Sequence, residues 1–151
     1  METILKAWKT SRKLYMEFFD NYSLDQLNKI PDGFNNNLIW NIGHVIITQQ
    51  KLIYKGANLQ GYISDDLFDQ YKSGTKPTAP VSENEAHSLK ALLTSLVEKT
   101  EIDVAKDIFV SYNERITGTG FHVASVRDAF ECNNYHEGMH LGYMMGIRKF
   151  V

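Results

Sequence analysis

The sequence has little cysteine and little net charge, and each shortage excludes a class of protein. A single cysteine, Cys132, cannot form an intrachain disulfide, so the chain is not a disulfide-stapled secreted domain and we expect it in the cytoplasm. Sixteen Lys and Arg residues against eighteen Asp and Glu residues give a formal net charge of -2. Because this balance creates no broad positive field, we expect no nucleic-acid partner.

Long apolar runs are also missing. No stretch approaches the roughly 20 apolar residues that cross a bilayer as a helix. Residues 1–19 alternate charged and apolar side chains, without the continuous apolar segment or the small-residue cleavage site of a signal peptide. We therefore expect no membrane partner. A chain of 151 residues is long enough for one domain, residues 1–151, to bury its own core.

Apolar residues recur at spacings of three and four over four long segments. This periodicity predicts helices over about residues 2–20 and 36–55, a third helix after Ser82, and a last helix from Ser125 almost to Val151. Ser82 and Ser125 are each followed three residues later by an acidic residue, which is the pattern of a capping box. We therefore expect an all-α fold and, with four long helices, a four-helix bundle.

The connections between these helices differ in length. Ser23 and Gln26 predict a small capping box just after the first helix. Residues 58–81 contain two glycines and two prolines, which predicts a long crossing connection with one short helix capped by Ser64. Because such a connection can join two parallel helices, the helix order is not expected to be simple up-down-up-down. Residues 101–122 fit either a short helix or an extended segment, and both alternatives stay open.

The last predicted helix has polar residues in the middle of the face that should be buried. Steps of three and four along this face give Val126, Ala129, Asn133, His136, His140, Tyr143 and Ile147. The ends of the face are apolar, whereas its middle is not. Burying polar groups costs free energy unless they have partners. A metal ion, or a polar pocket around one, would supply those partners.

The segment HEGMH, from His136 to His140, has two interpretations. As His-Glu-x-x-His it is the signature of a zinc protease, in which Glu137 activates water. Such a protease needs a third protein ligand, which usually lies downstream, and only eleven residues follow His140. The same segment also fits a helical clip in which two imidazoles bind a metal. A third ligand from upstream keeps both interpretations open.

His44, on the buried second helix, is the candidate third ligand. By itself it would be interpreted as a core histidine with a hydrogen-bond partner. Together with His136 and His140 it would complete a three-imidazole site with open positions for water or substrate. Imidazole suits zinc, nickel, iron and manganese to different degrees, so the pattern predicts a divalent metal ion without naming it.

Four further side chains are candidate pocket residues around this metal: Asn41, Asn133, Glu137 and Tyr143. Glu137 is a possible general base, but it lies about 100° around the helix from His136, so a solvated position or a contact with another helix is at least as good an interpretation. Cys132 could reach the metal or act as a nucleophile. A small buried core residue is the favoured interpretation of this cysteine.

Three segments together resemble the DinB-like (DinB/YfiT-like) superfamily, and the resemblance covers nearly the whole chain. They are Trp40-Asn-Ile-Gly-His44, His136-Glu-Gly-Met-His-Leu-Gly142 and the piece DDLFDQYKSGTKP in the long connection. The resemblance implies an up-down-down-up four-helix bundle. It also implies a divalent metal held by the histidines at 44, 136 and 140, with HEGMH as a bundle clip and not a protease motif.

The resemblance also implies a class of function. Characterised members are similar to metal-dependent transferases or isomerases that use low-molecular-weight thiols such as bacillithiol, mycothiol or glutathione, and related domains serve in iron-dependent sulfoxide synthesis. We therefore expect a metal-dependent thiol S-transferase with a small-molecule substrate, and a homodimer. A non-catalytic binding module organised by the metal and a metal-assisted hydrolase are the alternatives.

Overall fold

The computed structural model describes residues 1–151, and helices dominate it. The six α-helices are α1 (Glu2–Asn21), α2 (Leu24–Asn28), α3 (Leu38–Ile53), α4 (Asp65–Tyr71), α5 (Glu83–Ala105) and α6 (Val126–Ile147). The strands β1 (Arg115–Ile116) and β2 (His122–Val123) form one antiparallel pair. The expectation of a mainly helical fold is confirmed.

The helices α2, α4, α5 and α6 begin directly after the serines that the capping signals indicated, Ser23, Ser64, Ser82 and Ser125. Ser23 and Gln26 form the complete capping box, with both reciprocal hydrogen bonds present. The Ser82 hydroxyl accepts from the Glu85 amide, but the Glu85 carboxylate accepts from the Tyr71 hydroxyl and does not return to the cap. The capping box predicted at Ser82 is therefore only half formed, because Glu85 joins the start of α5 to the end of α4.

The helix α3 lies at the centre of the molecule. Its N-cap is Asn37, whose side-chain oxygen accepts from the Trp40 amide at 2.9 Å. Fourteen of its sixteen residues are buried, so it contacts neighbours on more than one side, as its apolar circumference indicated. No helix, α3 included, is both long enough and apolar enough to cross a membrane.

The four long helices form the packing framework around this centre. The helices α1 and α3 each pack against both α5 and α6. Their apolar faces meet in a large core cluster that includes Tyr15, Ile42, Leu93 and Met144. A smaller cluster includes Trp8, which packs edge-to-face on Phe130 with ring centroids 5.9 Å apart. The up-down-down-up order of the helices stays a prediction.

The ambiguous segment 101–122 contains three kinds of structure. Its first residues continue α5 to Ala105, and irregular backbone leads from there to the β1–β2 hairpin. The side chain of Val123 is fully buried beside α6 and anchors β2 to the core. The Tyr112 hydroxyl donates to the Leu52 carbonyl at 2.9 Å, which fastens the approach to the hairpin against the end of α3.

Candidate metal centre

Three histidines from two helices converge at the interface between α3 and α6. His44 lies on α3, and His136 and His140 lie one turn apart on α6. One ring nitrogen from each lies within 4.8 Å of the other two, and the ring centroids are 4.5 to 5.2 Å apart. The structure thus brings the three predicted ligands together in a group that could hold one metal ion.

The His44 ring contacts one neighbour on a face and one at each ring nitrogen. Its Nδ1 lies 2.7 Å from the backbone carbonyl oxygen of Tyr71. Because a carbonyl can only accept, Nδ1 carries the proton and Nε2 keeps its lone pair. The Thr48 hydroxyl is 3.4 Å from Nε2, at the outer limit of a hydrogen bond. The Trp40 ring stacks on the imidazole at 5.0 Å and 11°.

The tautomer of His140 follows from the contacts of Asn41. The Asn41 amide nitrogen donates to the Asn37 carbonyl at 2.7 Å, which fixes the direction of the amide group. Its oxygen then lies 2.8 Å from Nδ1 of His140 and must accept from it. His140 therefore also keeps its lone pair on Nε2. Asn41, a predicted pocket residue, lies in the site as a partner of a histidine.

His136 has a buried ring nitrogen, Nδ1, without any hydrogen-bond partner. Burial, followed by repulsion from His140 and His44, lowers the pKa of His136 to about 3. Burial and then repulsion from His44 lower the pKa of His140 to about 4, and burial is the main cause of the lowered pKa of His44. All three imidazoles are therefore neutral at pH 7, which is the form that binds a metal.

The carboxylate of Glu137 lies away from the histidines, which corrects its prediction as a pocket residue. It is fully buried and accepts hydrogen bonds from Trp8 Nε1 at 2.8 Å, Arg12 Nη2 at 2.7 Å and Asn133 Nδ2 at 2.9 Å. One residue beyond His136 is about 100° around α6, which turns this side chain toward α1. Glu137 is a helix contact, and the protease interpretation loses its general base.

The two other predicted pocket residues on α6 contact groups other than the histidines. Asn133 is fully buried and donates to Glu137 on the side of α6 that faces α1. Tyr143 is 40% exposed, and its ring packs edge-on against Phe34 with centroids 5.8 Å apart. The residues selected by helical spacing cover a polar face of α6 that is broader than its interface with α3. Only part of this face meets α3.

A comparison with protein families matches residues 7–144 to a model described as the DinB superfamily. The chain belongs to the DinB superfamily. The resemblance drawn from the three sequence segments is therefore confirmed at the level of the family. A comparison with curated proteins gives no match to the chain.

The structure explains why this DinB-superfamily chain has Trp-x-x-Gly-His on α3. A Cβ atom added to Gly43 would collide with the Tyr71 ring, so only glycine lets that ring pack on α3. With the ring in place, the Tyr71 carbonyl reaches His44 and its hydroxyl donates to Glu85 at 2.7 Å. Trp40 supplies the stacking surface one turn earlier. The motif therefore positions the His44 ring in two ways, by stacking on Trp40 and by letting the Tyr71 carbonyl reach Nδ1.

A cavity of about 540 Å³ opens beside the histidines. Its walls include His44, His136 and Cys132, together with residues 115–119 of the hairpin. Burial raises the pKa of the Cys132 thiol, which fits the favoured interpretation as a core residue.

Sequence reasoning missed two parts of this region. The partner of His44 is a backbone carbonyl, which side-chain patterns do not reveal, and the hairpin lies in the segment left open.

Proposed function

We propose that this protein binds one divalent metal ion through His44, His136 and His140 and uses it to activate a low-molecular-weight thiol. The observation that carries the proposal is a set of three neutral, converging imidazoles with one buried nitrogen left without a partner. Two of the rings already have the hydrogen-bond acceptors on Nδ1 that metal-bound histidines usually have. The residues present therefore fit a metal ion.

Three protein ligands leave room for a further molecule at the site. A divalent ion bound by three imidazoles supplies an open coordination position and lowers the pKa of a thiol or water that occupies it. Hydrogen bonds on Nδ1 hold His44 and His140 in the tautomer that leaves Nε2 free for a metal, which reduces the reorganisation needed for binding. Zinc, nickel, iron and manganese all accept such ligands.

The cavity favours a thiol over water as the activated group. None of its lining residues is Asp or Glu, and Glu137 is held by Arg12 on the other side of α6. Without a carboxylate to take a proton, the more acidic nucleophile is favoured, and a thiol, with a pKa of about 8.5, is far more acidic than water. In the proposed transfer the thiol loses its proton to solvent, its sulfur bonds to an electrophilic carbon, and the leaving group departs with the bonding electrons.

Elemental analysis of untagged protein tests the metal site. We expect one divalent ion per chain in wild type and none in His44→Ala or His140→Ala while the helical signal persists. His87→Ala is the matched control, because His87 is exposed on α5, and it should keep the ion. Folded wild type that takes up no divalent metal after stripping and titration would contradict the site and the thiol chemistry with it.

Turnover is tested separately with the metal-loaded protein. Loss of monobromobimane or chlorodinitrobenzene should require both a small thiol and the bound metal, and it should stop in the histidine variants. A protein that binds metal but consumes no electrophile with any thiol of a panel would contradict the transferase. That result would favour the non-catalytic module organised by the metal.

We also propose the up-down-down-up order for the four long helices. Two ion pairs support an antiparallel arrangement of α1 and α5. Lys9 in the first half of α1 pairs with Glu101 near the end of α5, and Asp20 at the end of α1 pairs with Lys90 in the first half of α5. Spin labels at both ends of each helix, with the distances measured by electron paramagnetic resonance, test this order. Short distances between the starts of α1 and α5 would contradict it.

A further inference from the structure

The cavity beside the histidines has a positively charged wall. Three cationic side chains line it, namely Lys51 of α3, Lys72 beyond α4 and Arg115 of β1, and no carboxylate lines it. Lys72 forms an ion pair with Asp69 at 2.9 Å, so its charge has a partner. Lys51 and Arg115 form no ion pair in the structure. The cavity wall would therefore attract an anion.

Arg115 is held at the cavity with part of its guanidinium unused. Its Nε is buried and has no hydrogen-bond partner. The backbone of Arg115 pairs with Val123 across the hairpin, and the fully buried side chain of Val123 fixes that strand to the core. A buried donor without an acceptor costs free energy, and an incoming acceptor would recover it.

Lys51 extends the same wall along α3. It follows His44 by seven residues, so both side chains lie on nearly the same face of the helix, about 10 Å apart along its axis. Partial burial, followed by the charges of Arg115 and Lys55, lowers the pKa of Lys51. The ammonium group of Lys51 therefore lies near another cation and is not neutralised by an acidic partner. A small molecule can span the distance from Lys51 to the histidines.

We propose that Arg115 and Lys51 bind a carboxylate group of the molecule whose thiol lies at the histidines. The two-nitrogen edge of a guanidinium matches the two oxygens of a carboxylate, and an ammonium group adds charge without demanding one geometry. This inference rests on the proposed function, because it assigns the other end of the same ligand. The substrate class is then a thiol that also carries a carboxylate.

Two probes that differ only in this charge test the inference. Calorimetric titration of the zinc-loaded protein compares N-acetylcysteine with N-acetylcysteine amide. We expect the acid to bind wild type about tenfold more tightly, which corresponds to about 1.4 kcal/mol. In Arg115→Gln the two affinities should become nearly equal, and Lys51→Met should lose part of the difference. Equal affinities for acid and amide in wild type would overturn the proposal.

The controls separate the carboxylate site from the metal chemistry. Arg127→Gln removes an exposed arginine that pairs with Glu131, and it should keep the full preference for the acid. If neither thiol binds the zinc-loaded protein, the proposed function fails, and N-acetylalanine, which has no sulfur, decides the carboxylate site alone. Binding of N-acetylalanine that disappears in Arg115→Gln supports the site, whereas no binding, or binding unchanged in that variant, overturns it.

Discussion

The two sides of α6 carry buried polar clusters of opposite character. On the side that faces α1, Glu137 is held by Arg12, Trp8 and Asn133, and its backbone carbonyl accepts from the Tyr15 hydroxyl at 2.6 Å. This cluster cancels its own charge, although Arg12 Nη1 and Asn133 Oδ1 lack partners. A cluster whose charges cancel in this way joins α1 to α6.

On the side that faces α3, the polar groups do not complete one another. The histidines repel one another's charged forms, Nδ1 of His136 has no partner, and Arg115 and Lys51 have no counter-charge. Each of these groups lacks something that a metal ion or an anion can supply. The two sides differ in charge and in metal-binding groups: uncompensated cations and grouped imidazoles, and not buried polarity alone, mark the candidate binding site.

The largest expected effect comes from disrupting the buried cluster around Glu137. Arg12→Met leaves the Glu137 carboxylate buried without its cation, so we expect the free energy of unfolding to fall by about 3–5 kcal/mol in urea denaturation. Lys9→Met is the matched control, because Lys9 pairs with Glu101 at the surface with half of its side chain exposed, and it should cost less than about 1 kcal/mol. Equal losses in the two variants would contradict the structural role of the buried pair.

A smaller effect is expected on the side of α6 that faces α3, which we call the open side. Asn41→Ala removes the acceptor that holds Nδ1 of His140, and we expect metal affinity to fall by about 10- to 100-fold. Asn134→Ala is the control on α6, since the Asn134 amide donates to the Ile4 carbonyl on the side that faces α1. Competition with a chelator measures both affinities. A similar loss in both variants would mean that helix packing in general, and not ligand orientation, controls binding.

Much of the helical framework could be predicted because its signals are local. A stripe of apolar residues and a capping side chain are read within one or two turns, and α1 and the start of α5 lie close to where those signals placed them. The three histidines were also found, since a polar stretch in a buried face and a histidine on an apolar helix both demand partners.

Other features depend on which helix a face meets, and periodicity does not report that. Asn133 shares the predicted face with His136 and His140, yet it donates to Glu137, whose carboxylate accepts from α1, and only the packing of the helices decides this. The hairpin that supplies Arg115 is held by Val123 and Tyr112 through distant contacts, so its segment was locally ambiguous. The homodimer stays a prediction, because the exposed helix faces of one chain do not identify a partner surface.

The smallest effect is a pH dependence that belongs to the open side alone. In metal-free protein His136 stays neutral down to a pKa of about 3, while in the unfolded chain it protonates near 6.5. The unfolded state therefore binds more protons between these values, and stability falls as the pH is lowered through 6.5. This one group contributes at most about 1.4 kcal/mol per pH unit.

Removing the His136 imidazole should therefore weaken the dependence of the free energy of unfolding on pH. Between pH 7 and 5.5, metal-free wild type should lose roughly 1–1.4 kcal/mol more than His136→Ala, as measured by urea denaturation with a chelator present. His87→Ala, which changes an exposed histidine on α5, should follow wild type. Profiles of wild type and His136→Ala that run parallel would show that His136 gains a proton as readily in the folded protein as in the unfolded chain. The two sides of α6 would then not differ in the way that their contacts indicate.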